Sequence, residues 1–138
     1  MKVIIDTNVF ISGMFFAGPP YQILQAWRNS LLHIIISPEI LEEYQRVSEE
    51  LIEKYPNVDL IPIFNMILSR SKLVSTKKLP QQICDDPDND MFIACAIASN
   101  TKLIVSGDKH LLKTSGYKGI IILKPKVFVD TYLPNKKR

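Results

Sequence analysis

Short runs of branched aliphatic residues alternate along this chain with longer stretches of helical spacing. Val3-Ile4-Ile5, ending at Asp6, has no polar interruption, as expected of a strand covered on both faces in a parallel sheet. Gly18-Pro19-Pro20 breaks the chain, and between Tyr21 and Trp27 the residues Ile23, Leu24 and Trp27 fall on one helical face. His33-Ile34-Ile35-Ile36 predicts a second buried strand. Ser37 is a good N-cap and Pro38 suits the first helical position. The helix they open carries Ile40, Leu41, Tyr44, Val47 and Leu51 on its apolar side and should stop near Pro56. Asp59 is placed to cap a further helix with Ile63, Phe64, Ile67 and Leu68. Pro62 in its first turn forfeits no intrahelical bond.

In the second half, Lys72-Leu73-Val74-Ser75 predicts a weaker third strand, and a polar loop runs from residue 76 into Asp85-Asp86-Pro87-Asp88-Asn89-Asp90. A helix over 89–99 follows; its apolar run from Met91 to Ala98 marks it as buried, and Asn100 suits a left-handed C-cap. Leu103-Ile104-Val105 and Ile120-Ile121-Ile122-Leu123 predict the last strands, and 126–133 a short final helix. Strands alternating with helices imply right-handed crossovers. The expected fold is therefore α/β: an α/β/α sandwich around a central, mainly parallel sheet of about five strands. One domain should occupy residues 1–133, leaving 134–138 as a basic C-terminal tail ending in Lys136-Lys137-Arg138.

A length of 138 residues suffices for a sizeable core without staples, and 46% hydrophobic residues is ordinary for a globular protein. No apolar run approaches the ~18 residues of a membrane span, and no signal peptide is expected at the N-terminus. Cys84 and Cys95 show no CxxC or Cys/His spacing, which argues against zinc and against a disulfide framework. A reduced, cytoplasmic setting fits. The net charge is +3, and gathering several carboxylates into one site would leave the remaining surface more basic still, which suits a polyanionic partner.

That gathering is what the pattern predicts. Asp6, Glu43, Asp86, Asp90 and Asp108 each follow a predicted strand or stand early in the helix after one. In an open parallel sheet, ligands bind outside the carboxyl ends of the strands, so topology would collect these acids at one edge. Clustered carboxylates repel and are costly to desolvate, and a hard divalent cation with oxygen ligands relieves both. Each acid also has a plainer use. Asp6 and Asp108 suit N-caps or turns, Glu43 could be a helix-start glutamate like Glu39 and Glu42, and Asp86 and Asp90 lie four apart at a helix start. Asp90, beside the long apolar run, is the hardest to explain as surface. Asn8 and Ser106 could steady a carboxylate or a metal-bound water.

Four stretches carry a family likeness: Val3-Ile-Ile-Asp-Thr-Asn-Val9, Ser37-Pro-Glu-Ile-Leu-Glu-Glu-Tyr44, Asp86-Pro-Asp-Asn-Asp-Met-Phe-Ile-Ala94 and Leu103-Ile-Val-Ser-Gly-Asp-Lys-His-Leu-Leu112. In this order and strand context they resemble a PIN domain, in the branch of toxins from prokaryotic toxin–antitoxin pairs. The resemblance implies a metal-dependent ribonuclease with Mg2+ or Mn2+ held by Asp6, Glu43, Asp90 and Asp108, with Asn8 and Ser106 as polar helpers and Asp86 as a supporting acid. It also implies RNA as substrate, an antitoxin protein as partner and a homodimer. One departure is Asn89, which stands where relatives often carry another Asp.

For the chemistry, Asp6, Asp90 and Asp108 would hold the first ion and Glu43 a second, or orient the attacking water. Lys72, Lys77, Lys78 and Lys109 are candidates for backbone phosphates. Two rival readings stand. A phosphatase of another doubly wound fold would use Asp6 as nucleophile, but Asn8 occupies the position where such an enzyme usually has a second Asp. A non-catalytic RNA-binding or antitoxin-binding domain is the other.

Overall fold

In the computed structural model, which describes residues 1–133, the aliphatic runs become the strands of one sheet. They are β1 (Lys2–Ile5), β2 (His33–Ile36), β3 (Lys72–Leu73), β4 (Leu103–Val105) and β5 (Ile121–Leu123). The order is β3-β2-β1-β4-β5, and every pairing is parallel. The first strand is thus the central one. Ile5 lies opposite Val105 across the β1–β4 ladder, while Val3 lies opposite Ile34 across β1–β2.

Between the strands run α1 (Thr7–Phe15), α2 (Pro19–Arg28), α3 (Pro38–Ile52), α4 (Ile61–Arg70), α5 (Asp90–Ser99) and α6 (Lys109–Leu112), with α7 (Pro125–Tyr132) last. Right-handed crossovers put the helices of β1→β2→β3 on one face and α5, which makes the return from β3 to β4, on the other. Accordingly α1 packs on α2 and α3, and α5 packs on β1, β2 and β4. This is the expected α/β/α sandwich. The tail at 134–138 lies outside the described residues.

Local signals placed most elements. Ser37 Oγ accepts from Ile40 N at 3.2 Å, and Asn100 takes the left-handed conformation (φ 54) while Thr101 N closes on Ala96 O at 2.9 Å. Asp59 caps the start of α4 by accepting from Ile61 N. The third strand is only two residues long and exposed, shorter than Lys72–Ser75. Two helices, α1 and α6, have no counterpart among the expected elements, and α5 starts one residue later than 89, after a 3-10 turn at Pro87–Asn89.

Helix α1 lies unusually close to α2. A Cβ added to Gly13 would stand 2.8 Å from both Leu24 Cδ1 and the Pro20 carbonyl oxygen. The leucine can move; the backbone oxygen cannot. Gly13→Ala should therefore lower stability by about 1–3 kcal/mol despite alanine's better helix propensity. Urea unfolding midpoints of the two proteins measure this, and an unchanged or raised midpoint would mean the α1–α2 contact is loose.

Candidate metal centre and the groove beside it

The sheet aims Asp6 through one peptide unit. Asp6 N–H donates to Val105 O at 2.9 Å, and on the opposite side of the same planar unit the Tyr44 hydroxyl donates to Ile5 O at 2.5 Å. Tyr44 is fully buried and stacked on Phe10 of α1, ring centroids 4.2 Å apart and planes 3° from parallel. Its hydroxyl is held well above its ordinary pKa of 10.0, first by burial and then by the negative charges of Asp6 and Cys95, so it stays a donor. Nothing in the sequence pattern singled Tyr44 out beyond its place in the apolar stripe. The signal was its hydroxyl, because a buried tyrosine usually finds a hydrogen-bond partner.

The carboxylate that this unit aims is only 5% exposed. Ser106 Oγ donates to Asp6 Oδ2 at 2.5 Å and itself accepts from Asp108 N at 3.0 Å, tying the ends of β1 and β4 together. Burial is the largest influence on Asp6 and raises its pKa above 3.8; Ser106 and the Asn8 and Thr7 N–H groups oppose this, and the charge of Asp108 adds to it. Neither N–H closes a regular cap bond to the side chain. The hydroxyl of Thr7 is buried without a partner, whereas Asn8 is exposed.

Asp108 caps α6: its Oδ1 accepts from His110 N at 2.7 Å and Leu111 N at 3.3 Å. Its other oxygen accepts no hydrogen bond among the described residues. Asp90 instead spends both oxygens on the loop before it, Oδ1 on Cys84 N at 2.8 Å and Oδ2 on Ile83 N at 3.0 Å. Cys84 sits near both acids; burial first, then Asp90 and more weakly Asp108, push its thiol up to about 12. The loop is tied to α6 by Asp85, which pairs with Lys113 at 2.8 Å and lies 3.5 Å from His110 Nδ1.

Asp6 and Asp108 are thus brought together, with Asp90 nearby across Cys84. Glu43 is not joined to them. Its side chain is 31% exposed and pairs with Arg46 at 2.8 Å. It lines a cavity of about 490 Å3 with Glu39, Glu42, Arg46, Asp88 and Met91. An adjoining cavity of about 600 Å3 shares Glu39 and Met91 and contains Asp90, Lys77 and Lys78. Together they form a groove passing over the start of α5. Glu39 and Glu42 are exposed as expected, but Glu39 also reaches Thr76 Oγ1 at 3.3 Å. Asp86 is exposed and caps the 3-10 turn through Asp88 N at 3.0 Å. Asn89 is buried with an unpartnered Nδ2. Lys72 lies on the exposed edge strand and Lys109 at the exposed start of α6.

Do these residues suit a divalent cation? Among the described residues no three acidic, histidine or cysteine side chains stand close enough to share one ion. Mg2+, however, is usually held by one or two carboxylates with waters completing its shell. Asp6 is a buried carboxylate, and none of the ion pairs among the described residues includes it. Beside the free oxygen of Asp108, it offers the hard donors such an ion needs. The fit is to the Asp6–Asp108 pair, with Asp90 as the third acid at hand.

Two consequences can be measured. Asparagine caps helices as well as aspartate, so Asp108→Asn should change stability by no more than a few tenths of a kcal/mol, roughly. Asp90→Asn replaces one acceptor with an NH2 facing a main-chain N–H, and should cost about 2 kcal/mol and speed amide exchange at Ile83 and Cys84. Equal exchange in wild type and Asp90→Asn would remove the loop-anchoring role. The second concerns pH. With its folded pKa raised, Asp6 contributes stability fully present below the unfolded value near 3.8 and lost as pH rises through the folded pKa. Metal-free wild type should therefore lose stability relative to Asp6→Asn as pH rises above about 3.8 and through the folded pKa; parallel pH profiles of the denaturation midpoints would contradict this.

Comparison with known proteins agrees with the geometry. A family model described as a PIN domain matches residues 2–110. An uncharacterized protein of Methanocaldococcus jannaschii, MJ1680, is 31% identical over 115 residues, covering 81% of this chain and 74% of its own. Among solved structures, VapBC2 from Rickettsia felis, bound to a DNA fragment from its promoter, superposes with a TM-score of 0.53. That match has 18% identity and covers 90% of this chain and 98% of the other, a likeness of fold. With the family model spanning β1 to α6 and the strand-end acids where the sheet must gather them, the chain belongs to the PIN domain family.

Proposed function

We propose that this chain is a metal-dependent ribonuclease that hydrolyses phosphodiester bonds in RNA, and that it is the toxin of a toxin–antitoxin pair. The observation that carries the reading is the buried, ion-pair-free carboxylate of Asp6, linked through Ser106 to Asp108 at the carboxyl edge of the sheet. Asp6 and Asp108 would hold Mg2+ or Mn2+, with Asp90 completing the first site and Glu43 orienting water or serving a second. When bound, such an ion activates water and relieves charge on the phosphoryl oxygens. Ser106 keeps Asp6 and Asp108 in register by donating a hydrogen bond to the Asp6 carboxylate and accepting one from the Asp108 main-chain N–H. Asn8, exposed beside Asp6, is available to hold a water. Lys77 and Lys78, lining the groove with Asp90, would take the backbone phosphates, with Lys72 and Lys109 further out.

The toxin role is supported by the likeness to VapBC2, solved with promoter DNA. In this reading the chain works in the cytoplasm as a homodimer and is restrained by an antitoxin protein. Among the described residues no helix is long and apolar enough to cross a membrane. The phosphatase reading gains nothing from the structure, since Asn8 cannot replace a second acid. The buried carboxyl of Asp6, outside any ion pair among the described residues, disfavours a purely binding domain, which would have no use for it.

The test incubates single-stranded RNA with wild type and Asp108→Asn in Mg2+, Mn2+ or EDTA and follows fragment length. Asp108→Asn is the clean probe, because Asp90→Asn also frees the loop. Cleavage should require the ion and fall by roughly a hundredfold or more in Asp108→Asn, the value of several kcal/mol of charge stabilisation. Thermal melts should rise with Mn2+ in wild type and respond less in Asp108→Asn. Neutralising Lys77 and Lys78 should weaken RNA binding and lower the salt slope by about 0.7 per lost phosphate contact. Cleavage that persists in EDTA, or is equal in the two proteins, would overturn the reading.

A further inference from the structure

On the far side of the loop that carries Lys77 and Lys78 lies a third cavity, of about 510 Å3. Its chemistry differs from that of the two acidic ones. Its walls include Leu79, Ile97 and Tyr117, its charged groups are Lys77, Lys78 and Lys118, and no carboxylate is among its described lining residues. Ile97 is 42% exposed, so a large aliphatic side chain just past the buried middle of α5 is open to solvent here. Lys118 Nζ stands 5.9 Å from the centroid of the Tyr117 ring, which places a cation over a ring that is only partly buried.

The cavity adjoins the groove at Asp90. Asp90, Ala94 and Ile97 follow one another at helical spacing along one face of α5, and Ala94 together with Lys77, Lys78, Leu79 and Pro80 lines both cavities. Seven residues of helix separate Asp90 from Ile97, a distance of ~10 Å. The two cavities thus succeed each other along one face of α5, from Asp90 to Ile97, with the residues 77–80 common to both.

We propose that this cavity is a subsite for an unpaired base of the RNA, a short way along the strand from the phosphate held at the acidic edge. The inference rests on the ribonuclease reading. A base presents a flat apolar face flanked by two negatively charged phosphates, and it needs an aromatic or aliphatic wall ringed by cations. The wall is Tyr117 with Ile97 and Leu79; the cations are Lys77 and Lys78 on the acidic side and Lys118 on the other. Stacking is tolerant of base identity, so the subsite adds affinity and fixes the strand's register without reading sequence by hydrogen bonds. It also selects against duplex RNA, whose bases are not free to enter.

The experiment measures binding of a short single-stranded RNA in EDTA, with one abasic nucleotide moved stepwise along it. The proteins are wild type, Tyr117→Phe, Tyr117→Ala and Ile97→Asp; the last changes an exposed position and should leave the fold intact. Tyr117→Ala and Ile97→Asp should weaken binding about 5- to 150-fold, the range found per stacked base, and Tyr117→Phe should bind like wild type. At one position the abasic substitution should weaken wild type but not Tyr117→Ala, which a loss of folding would not produce. Equal affinity of all four proteins, with cleavage by wild type intact, would overturn the subsite and leave the ribonuclease standing. A wild type that neither binds nor cleaves RNA would overturn both.

Discussion

The acidic edge hangs from one peptide unit. Its N–H is gripped by β4 through Val105 and its carbonyl by α3 through Tyr44, so the plane that sets the direction of the Asp6 side chain cannot tilt without breaking a buried hydrogen bond. A buried polar group left without a partner costs about 1–3 kcal/mol, which makes either breakage expensive. Because β1 is central, the same strand end collects constraints from both halves of the sheet: β4 in one direction, and the helix following β2 in the other. The stack of Tyr44 on Phe10 brings α1 into the same unit.

Each acid also has a local structural task, and these tasks decide how its charge can be used. Asp108 is a helix cap with one oxygen to spare. Asp90 anchors a loop with both. Asp6 sits at the N-cap position of α1 yet makes no regular cap bond; it is instead desolvated and partnered by a serine hydroxyl. Structural and chemical readings of these residues are therefore not exclusive. Asp108 and Asp90 meet main-chain N–H groups with their carboxylate oxygens, Asp6 meets a hydroxyl, and oxygen donors of this kind are what a hard cation binds. Asp90 carries the further implication that the groove wall and the acidic site share an anchor.

Most of the sandwich was legible because a strand covered on both faces has no choice but to be aliphatic. Val3-Ile4-Ile5 and His33–Ile36 need no periodicity to be recognised. Helix α1 escaped for the converse reason: Val9, Phe10, Ile11, Met14 and Phe15 are packed into nine residues with no clean polar face, and Gly13 marks a close helix contact that sequence cannot distinguish from a turn. Helix α6 is a single turn built on the Asp108 cap. In the site, the meeting of Asp6 and Asp108 at the ends of β1 and β4 was legible from topology, whereas Glu43 and Asp86 do not join them. What remained hidden were partners without a residue-type signature, namely the amides of Ile83 and Cys84 on Asp90, and the pairing of Glu43 with Arg46, which any exposed helix could show.

The strand order has a consequence for when the acidic edge can exist at all. Asp6 and Ser106 are 100 positions apart, and β2 and β3 are both made before β4, the other neighbour of β1. A chain emerging from the ribosome could settle the β3-β2-β1 half while the other flank of β1 stayed open, its backbone groups awaiting a partner. Closing so long a loop carries an entropic cost, and pairings of this separation slow folding. Asp6 and Asp108 can therefore meet only once the chain has been made through β4. A partly synthesised molecule that ends before β4 holds Asp6 without Ser106 or Asp108, and so lacks the link that joins the two strand ends.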